Sequence, residues 1–126
     1  MAEQSPQITV IVPVYNTARY LPDCLDSILS QSMKDFEILA VNDASTDNSP
    51  DILAEYAAKD SRVRIVNHET NKGLLAGRLS GIRAARGKYI MFLDSDDCFI
   101  PGVLKNVLKT AEKPVPTSLT SRWNSG

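Results

Sequence analysis

Four short apolar runs, alternating with segments of helical periodicity, organise this chain. Ile8-Thr9-Val10-Ile11-Val12 is β-branched throughout and reads as a buried strand that Pro13 ends. Leu21, Cys24, Leu25, Ile28 and Leu29 recur at helical spacing, so a helix is expected from about Thr17 to Gln31, with Pro22 confined to its first turn. Phe36 to Val41 is a second strand, closed by the turn formers Asn42-Asp43-Ala44-Ser45-Thr46-Asp47. Ser49 as N-cap and Pro50 at the first helical position open a helix to about Lys59. Val63 to Val66 forms a third strand, and the Asn71-Lys72-Gly73 loop leads to a helix from about Leu74 to Arg86, which Gly87 terminates. Tyr89 to Leu93 is a fourth, buried strand. Pro101 then opens a helix with Val103, Leu104, Val107 and Leu108 on one face.

The resulting order, β-α-β-α-β-α-β-α, implies an α/β fold: a mostly parallel sheet with helices on both faces. Such sheets bind ligands beyond the carboxyl ends of their strands, where the strand order reverses. Three distinctive loops fall at those ends: Pro13-Val14-Tyr15-Asn16, Asn42-Asp43 and Asp94-Ser95-Asp96-Asp97. They are expected to converge on one crevice.

The last of these loops carries the strongest chemistry. Three carboxylates within four positions repel one another and resist losing water. A hard divalent cation resolves that conflict, and oxygen-only ligands suit magnesium or manganese. The bland alternative is a hydrated acidic turn. The turn after the first strand has no GxGxxG, and no GxxxxGK[ST] occurs, so neither a dinucleotide fingerprint nor a P-loop is present. Phosphate would then be held through a metal on the acidic loop, with Arg78 and backbone groups assisting. Asp43 is placed to accept from a nucleobase N–H, or else to start an Asx-turn. Tyr15 stacks on that base or simply packs. Asp97 either ligates the metal or caps the following turn.

Composition adds little. Hydrophobic content of 43% and charged content of 23% are ordinary globular values, and 126 residues suit one domain. A net charge of −1 leaves no electrostatic footprint for nucleic acid. No apolar stretch is long enough for a transmembrane segment, and Met1 to Gln7 is short and polar. Cys24 and Cys98 fall in no CxxC pattern and read as two buried thiols of a cytoplasmic protein. His68 stands alone in a polar loop with no expected role, and Trp123 lies in a Ser/Thr-rich tail without periodicity.

Four segments in order, ITVIVPVYNTARYLPDCLDSILSQ, FEILAVNDASTDNSPDIL, NKGLLAGRLSGIRAARGKYI and FLDSDD, resemble family 2 glycosyltransferases of the GT-A fold, over about residues 8–112. The resemblance implies a site for a nucleoside diphosphate sugar, usually a UDP-sugar, and inverting transfer to a hydroxyl acceptor such as a glycan or lipid-linked sugar. Pro13, Tyr15 and Asn16 would line the nucleotide pocket, Asp43 would bond the base, and Arg78 would contact the base or steady the pocket. Asp94 and Asp96 match the DxD motif around Ser95. Asp94 would lie near the ribose and Asp96 would ligate Mn2+ or Mg2+, with Asp94 and Asp97 as further candidate ligands. Asn42 and Leu79 depart from the pattern, standing where the family usually has an aspartate and an asparagine. The implied location is cytoplasmic, with peripheral contact to the inner membrane face.

The expected division is a disordered N-terminus over 1–7, a nucleotide-sugar-binding part over 8–112, and an irregular tail over 113–126. The catalytic base that an inverting transferase needs is expected beyond this part, and no residue here matches it. One source for the tail is a shifted reading frame. Suitable codons for Pro114 to Ser125, read one base earlier, spell TGADIAHFAVEQ, which resembles a family continuation. The competing readings are an inactive fragment of a transferase gene and a non-catalytic α/β binding module. Phospho-acceptor receivers, one such module, gather their acidic residues after the first and third strands, whereas here they follow the second and fourth.

Overall fold

The computed structural model describes residues 5–111, so the tail 113–126 lies outside the described residues. The elements are β1 (Ile8–Val14), α1 (Leu21–Leu29), β2 (Phe36–Asp43), α2 (Ser49–Lys59), β3 (Val63–His68), α3 (Leu74–Ala84), β4 (Tyr89–Phe92) and α4 (Val103–Ala111). All four strands are parallel, in the order β3-β2-β1-β4. The order reverses between β1 and β4, which puts the expected crevice beyond their carboxyl ends.

Helices cover both faces, as the alternation requires. On one face Ile8, Val10 and Val12 of β1, with Ile38 and Ala40 of β2, pack against Leu21, Leu25 and Ile28 of α1, Leu53 of α2 and Leu104 of α4. The other face is thinner, with Ile11, Leu39 and Val41 beneath α3. Gly81 allows that contact, since a Cβ there would lie 2.5 Å from Ile11 Cγ2.

Several boundaries differ from expectation for local reasons. β1 runs through Pro13 to Val14. Ile11 faces β4, accepting from the Leu93 amide, and Pro13 faces the same way beyond the last β1–β4 pair. Its missing N–H therefore removes no ladder bond. α1 begins only at Leu21, because Thr17 to Tyr20 form a separate turn in which the Tyr20 and Leu21 amides donate to Thr17 O. Ser49 is the first residue of α2, not its cap, and its amide is taken by Asp47 Oδ1.

Gly87 does not end α3, which stops at Ala84. Its amide donates to Thr9 Oγ1, and a Cβ would lie 2.5 Å from Thr9 N. β4 is an edge strand rather than a buried one: Ile90 and Phe92 are 39% and 41% exposed, because α3 covers β1 and β2. Residues 6 and 7 of the N-terminal segment are paired, with Pro6 O and Gln7 O accepting from the Lys88 and Tyr89 amides. Cys24 is buried, but Cys98 is exposed.

Candidate donor-binding site

The three loops do meet. Pro13 and Val14 at the end of β1, Tyr15 and Thr17 after it, Val41 and Asp43 of β2, and Asp94, Ser95 and Asp96 after β4 line one open cavity of about 500 Å³. Its remaining wall is the start of α3, with Asn71, Gly73, Leu74 and Gly77. Volumes of roughly 300–1,000 Å³ are usual for small-molecule sites.

The acidic turn is held firmly from beneath. The Asp97 amide donates to Asp94 O at 2.9 Å, closing the turn. Ser95, nearly buried, shares a 2.7 Å hydroxyl hydrogen bond with Thr17. The Cys24 thiol donates to Asp94 O, and burial with nearby Cys98 and the acidic turn pushes that thiol up to about 12, so it stays a neutral donor. With the backbone fixed, the carboxylates of Asp94, Asp96 and Asp97 stand exposed, one oxygen of each within 4.8 Å of the others. This all-oxygen set fits a hard divalent cation. Arg78 Nη2 lies 3.8 Å from Asp94 Oδ1, and its guanidinium sits 5.4 Å over the Phe92 ring.

Asp43 is the most heavily bonded side chain of the cavity wall. Oδ1 accepts from the Lys72 amide and from His68 Nδ1, each at 2.8 Å, and Oδ2 accepts from the Gly73 amide at 2.9 Å. Burial alone would raise this carboxyl, but the Lys72 amide, His68 and the Gly73 amide outweigh it and hold it below the ordinary carboxylate range. The ionised group is acceptor-only, so His68 Nδ1 carries the proton in that bond. Each carboxylate oxygen has two lone-pair sites, which leaves one on Oδ2 without a protein donor.

Six of the residues singled out in the sequence line the cavity: Pro13, Tyr15, Asp43, Asp94, Ser95 and Asp96. Asn16, Arg78 and Asp97 do not. Asn16 adopts φ 54° and ties two loops together, its Oδ1 accepting from the Thr46 and Asp47 amides and its own amide donating to Ser45 Oγ. Arg78 and Asp97 belong to the acidic cluster at the rim.

Thr17, Asn71 and Gly77 are cavity residues that the sequence does not mark as such, although Gly77 and Gly81 at i, i+4 mark the flat side of α3 on which it approaches the sheet. His68 was misjudged. It ends β3, not a polar loop, and is buried between Asp43 and Ser80, whose Oγ lies 2.7 Å from Nε2.

Known proteins share this fold. EpsH of Bacillus subtilis (strain 168), named as a glycosyltransferase, is 46% identical over 108 residues, which are 86% of this chain and 31% of EpsH. S. aureus TarS 1-349 in complex with UDP-GlcNAc superposes with a TM-score of 0.79 at 31% identity, covering 84% of this chain and 31% of TarS 1-349. The mannosyltransferase PcManGT from Pyrobaculum calidifontis, in complex with GDP-Man and Mn2+, gives a TM-score of 0.79 at 28% identity, covering 88% of this chain and 34% of its own. The chain thus spans about a third of the length of each of these proteins. The family model for glycosyl transferase family 2 matches residues 9–124, a span that continues past Lys113 into the tail. With that match, the parallel GT-A sheet and the shared segment order, the chain belongs to glycosyl transferase family 2.

Proposed function

We propose that this chain carries the donor site of an inverting glycosyltransferase, binding a nucleoside diphosphate sugar, by preference a UDP-sugar, with Mn2+ or Mg2+. The observation that carries the reading is the meeting of an acceptor-only carboxylate, Asp43, and an exposed carboxylate cluster in one cavity at the strand-order reversal. Base recognition and diphosphate recognition need those two chemistries at opposite ends of one pocket.

The free lone pair of Asp43 Oδ2 accepts from a base N–H, which an imide such as that of uracil supplies. Tyr15, half exposed on the cavity wall, offers a face to the base or ribose, and Pro13 supplies apolar wall. Asn16 contributes indirectly, by fixing the loop on which Tyr15 sits. Asp96 is the principal metal ligand. Asp94 and Asp97 complete the donor set, and Asp94 also faces the ribose beside Ser95. A divalent cation bound there supplies Lewis-acid stabilisation of the departing diphosphate. Arg78, paired with Asp94, steadies the cluster and adds positive charge near the phosphates.

The activity of a whole transferase, transfer to an acceptor glycan or lipid-linked sugar, requires a base that none of the residues in this reading provides. Among the described residues no helix is long and apolar enough to cross a membrane; the family resemblance, with its nucleotide-sugar donor, supports a cytoplasmic location peripheral to the inner membrane face.

Calorimetric titration of the chain with UDP, with and without Mn2+, tests the reading. Saturable binding that needs Mn2+ and is abolished by Asp96→Ala is expected. Binding that is indifferent to both would refute the metal assignment, and a folded chain that does not bind UDP would refute the donor site.

A further inference from the structure

His68 and Ser80 do not line the cavity, yet they form a continuous chain of hydrogen bonds to the Asp43 carboxylate on its wall. We propose that His68, oriented by Ser80, is a positioning residue for base selection: it locks the Asp43 carboxylate so that Oδ2 accepts an imide N–H and cannot swing to follow a cytosine amine. This rests on the proposed base contact of Asp43.

The argument begins with what Asp43 needs. It sits at the last position of β2, where a short side chain has rotational freedom unless donors fix it. The Lys72 and Gly73 amides come from a loop, and Gly73 is at φ 96°, a left-handed conformation with open space around it. Loop amides alone make a compliant clamp. His68 is different. It is paired across from Asp43 in the β2–β3 register, its side chain is 6% exposed, and its second nitrogen is held by Ser80 in the middle of α3. The carboxylate is therefore braced by a strand and a helix as well as by the loop amides. The ionised Asp43 draws an N–H onto Nδ1, and the Ser80 hydroxyl, 2.7 Å from Nε2, holds the ring from its other side.

Rigidity matters here because uracil and cytosine differ only along the edge that Asp43 would read. Uracil presents an N–H at its centre, with a carbonyl on each side. Cytosine presents an acceptor at the centre and an amine beside it. A fixed carboxylate oxygen accepts from the first and repels the second. A carboxylate free to turn reaches the neighbouring amine and loses the distinction. His68 thus governs discrimination more than affinity.

The experiment compares UDP and CDP affinities in Mn2+ for the full chain and for His68→Phe, His68→Asn, Ser80→Ala and Asp43→Asn, with thermal melts to verify folding. The chain itself is expected to prefer UDP by about tenfold or more. His68→Phe, which keeps bulk without a donor, should cut the preference to about threefold or less. His68→Asn, whose amide restores a donor near the Nδ1 position, should recover most of it, and Ser80→Ala should lie between. If His68→Phe does not fold, Ser80→Ala carries the test through the same ratio. An unchanged UDP:CDP ratio in the folded His68 and Ser80 variants, with Asp43→Asn having lost it, would overturn the inference and leave the Asp43 contact standing. Equal weakening of both nucleotides would also overturn it, marking His68 as structural only. A ratio that Asp43→Asn does not change would sink the base contact itself, and the inference with it.

Discussion

Replacing Asp43 by Asn changes one atom of the most heavily bonded side chain in the site, and its consequence for stability follows from the geometry. The amide oxygen takes the Oδ1 position, where His68 Nδ1 and the Lys72 amide both donate, and the NH2 then faces the Gly73 amide that Oδ2 had accepted. Two bonds lose their charge assistance and the third becomes a donor–donor contact. Bonds to charged groups contribute about 1.5–3 kcal/mol against about 1 for neutral ones, so two weakened bonds and one lost bond cost about 2.5 kcal/mol or more. For a domain of this size that is a fall in Tm of about 10 °C or more.

The same substitution has a pH signature. The Asp43 carboxyl is held below its unfolded value, so its contribution is complete above the ordinary carboxylate range and fades as pH falls through the folded pKa. Urea unfolding at stepped pH should show a gap between wild type and variant that is widest near neutrality and narrows in acid. Taking the difference removes other depressed carboxylates, such as Asp60 beside Arg62, which both chains share. A gap that is absent at neutral pH, or constant down to strong acid, would refute the bonding pattern.

Three further substitutions probe the frame around the site. Gly81→Ala improves helix propensity by about 1 kcal/mol but drives a methyl to 2.5 Å from the branched Ile11 side chain, and overpacking of about 1–3 kcal/mol should leave it net destabilised in urea unfolding. Leu104→Ala should cost about 2–5 kcal/mol, because Leu104 is fully buried and anchors α4 to the main core; a negligible change would mean α4 is not docked as described. Thr17→Val leaves the buried Ser95 hydroxyl without its partner, at a cost of about 1–3 kcal/mol, and should weaken Mn2+-dependent UDP binding in calorimetry. Wild-type Mn2+ affinity in that variant would detach the Thr17–Ser95 bond from the site.

Element types, the parallel sheet and the meeting of three loops were legible in the sequence because each rests on a strong local signal. Continuous β-branched runs announce strands buried on both faces, and turn formers and carboxylates crowd where they end. What stayed hidden depends on partners distant in sequence. Pro13 reads as a strand terminator until the β1–β4 register shows that its N–H side lies beyond the last pair. Tyr89 to Leu93 reads as buried, but an edge position with no helix beneath leaves Ile90 and Phe92 open. Gly87 looks like a helix stop, and only the approach of Thr9 explains it. His68 has no periodic signal at all, since its role comes from cross-strand pairing with Asp43, 25 residues away, and from Ser80 on α3. Asn16 reads as a pocket residue because of where it lies, while its side chain is spent on the Thr46–Asp47 loop.

The central claim is that the acidic turn and Asp43 serve the two ends of one nucleotide site. Amide-resolved NMR of the 15N-labelled chain, titrated with Mn2+ and then with UDP, tests it most directly. The account predicts paramagnetic broadening centred on Asp94 to Cys98, deepened by UDP, together with UDP-induced changes at the Lys72 and Gly73 amides that Asp43 holds. Broadening centred elsewhere, or UDP changes that leave those two amides untouched, would contradict it.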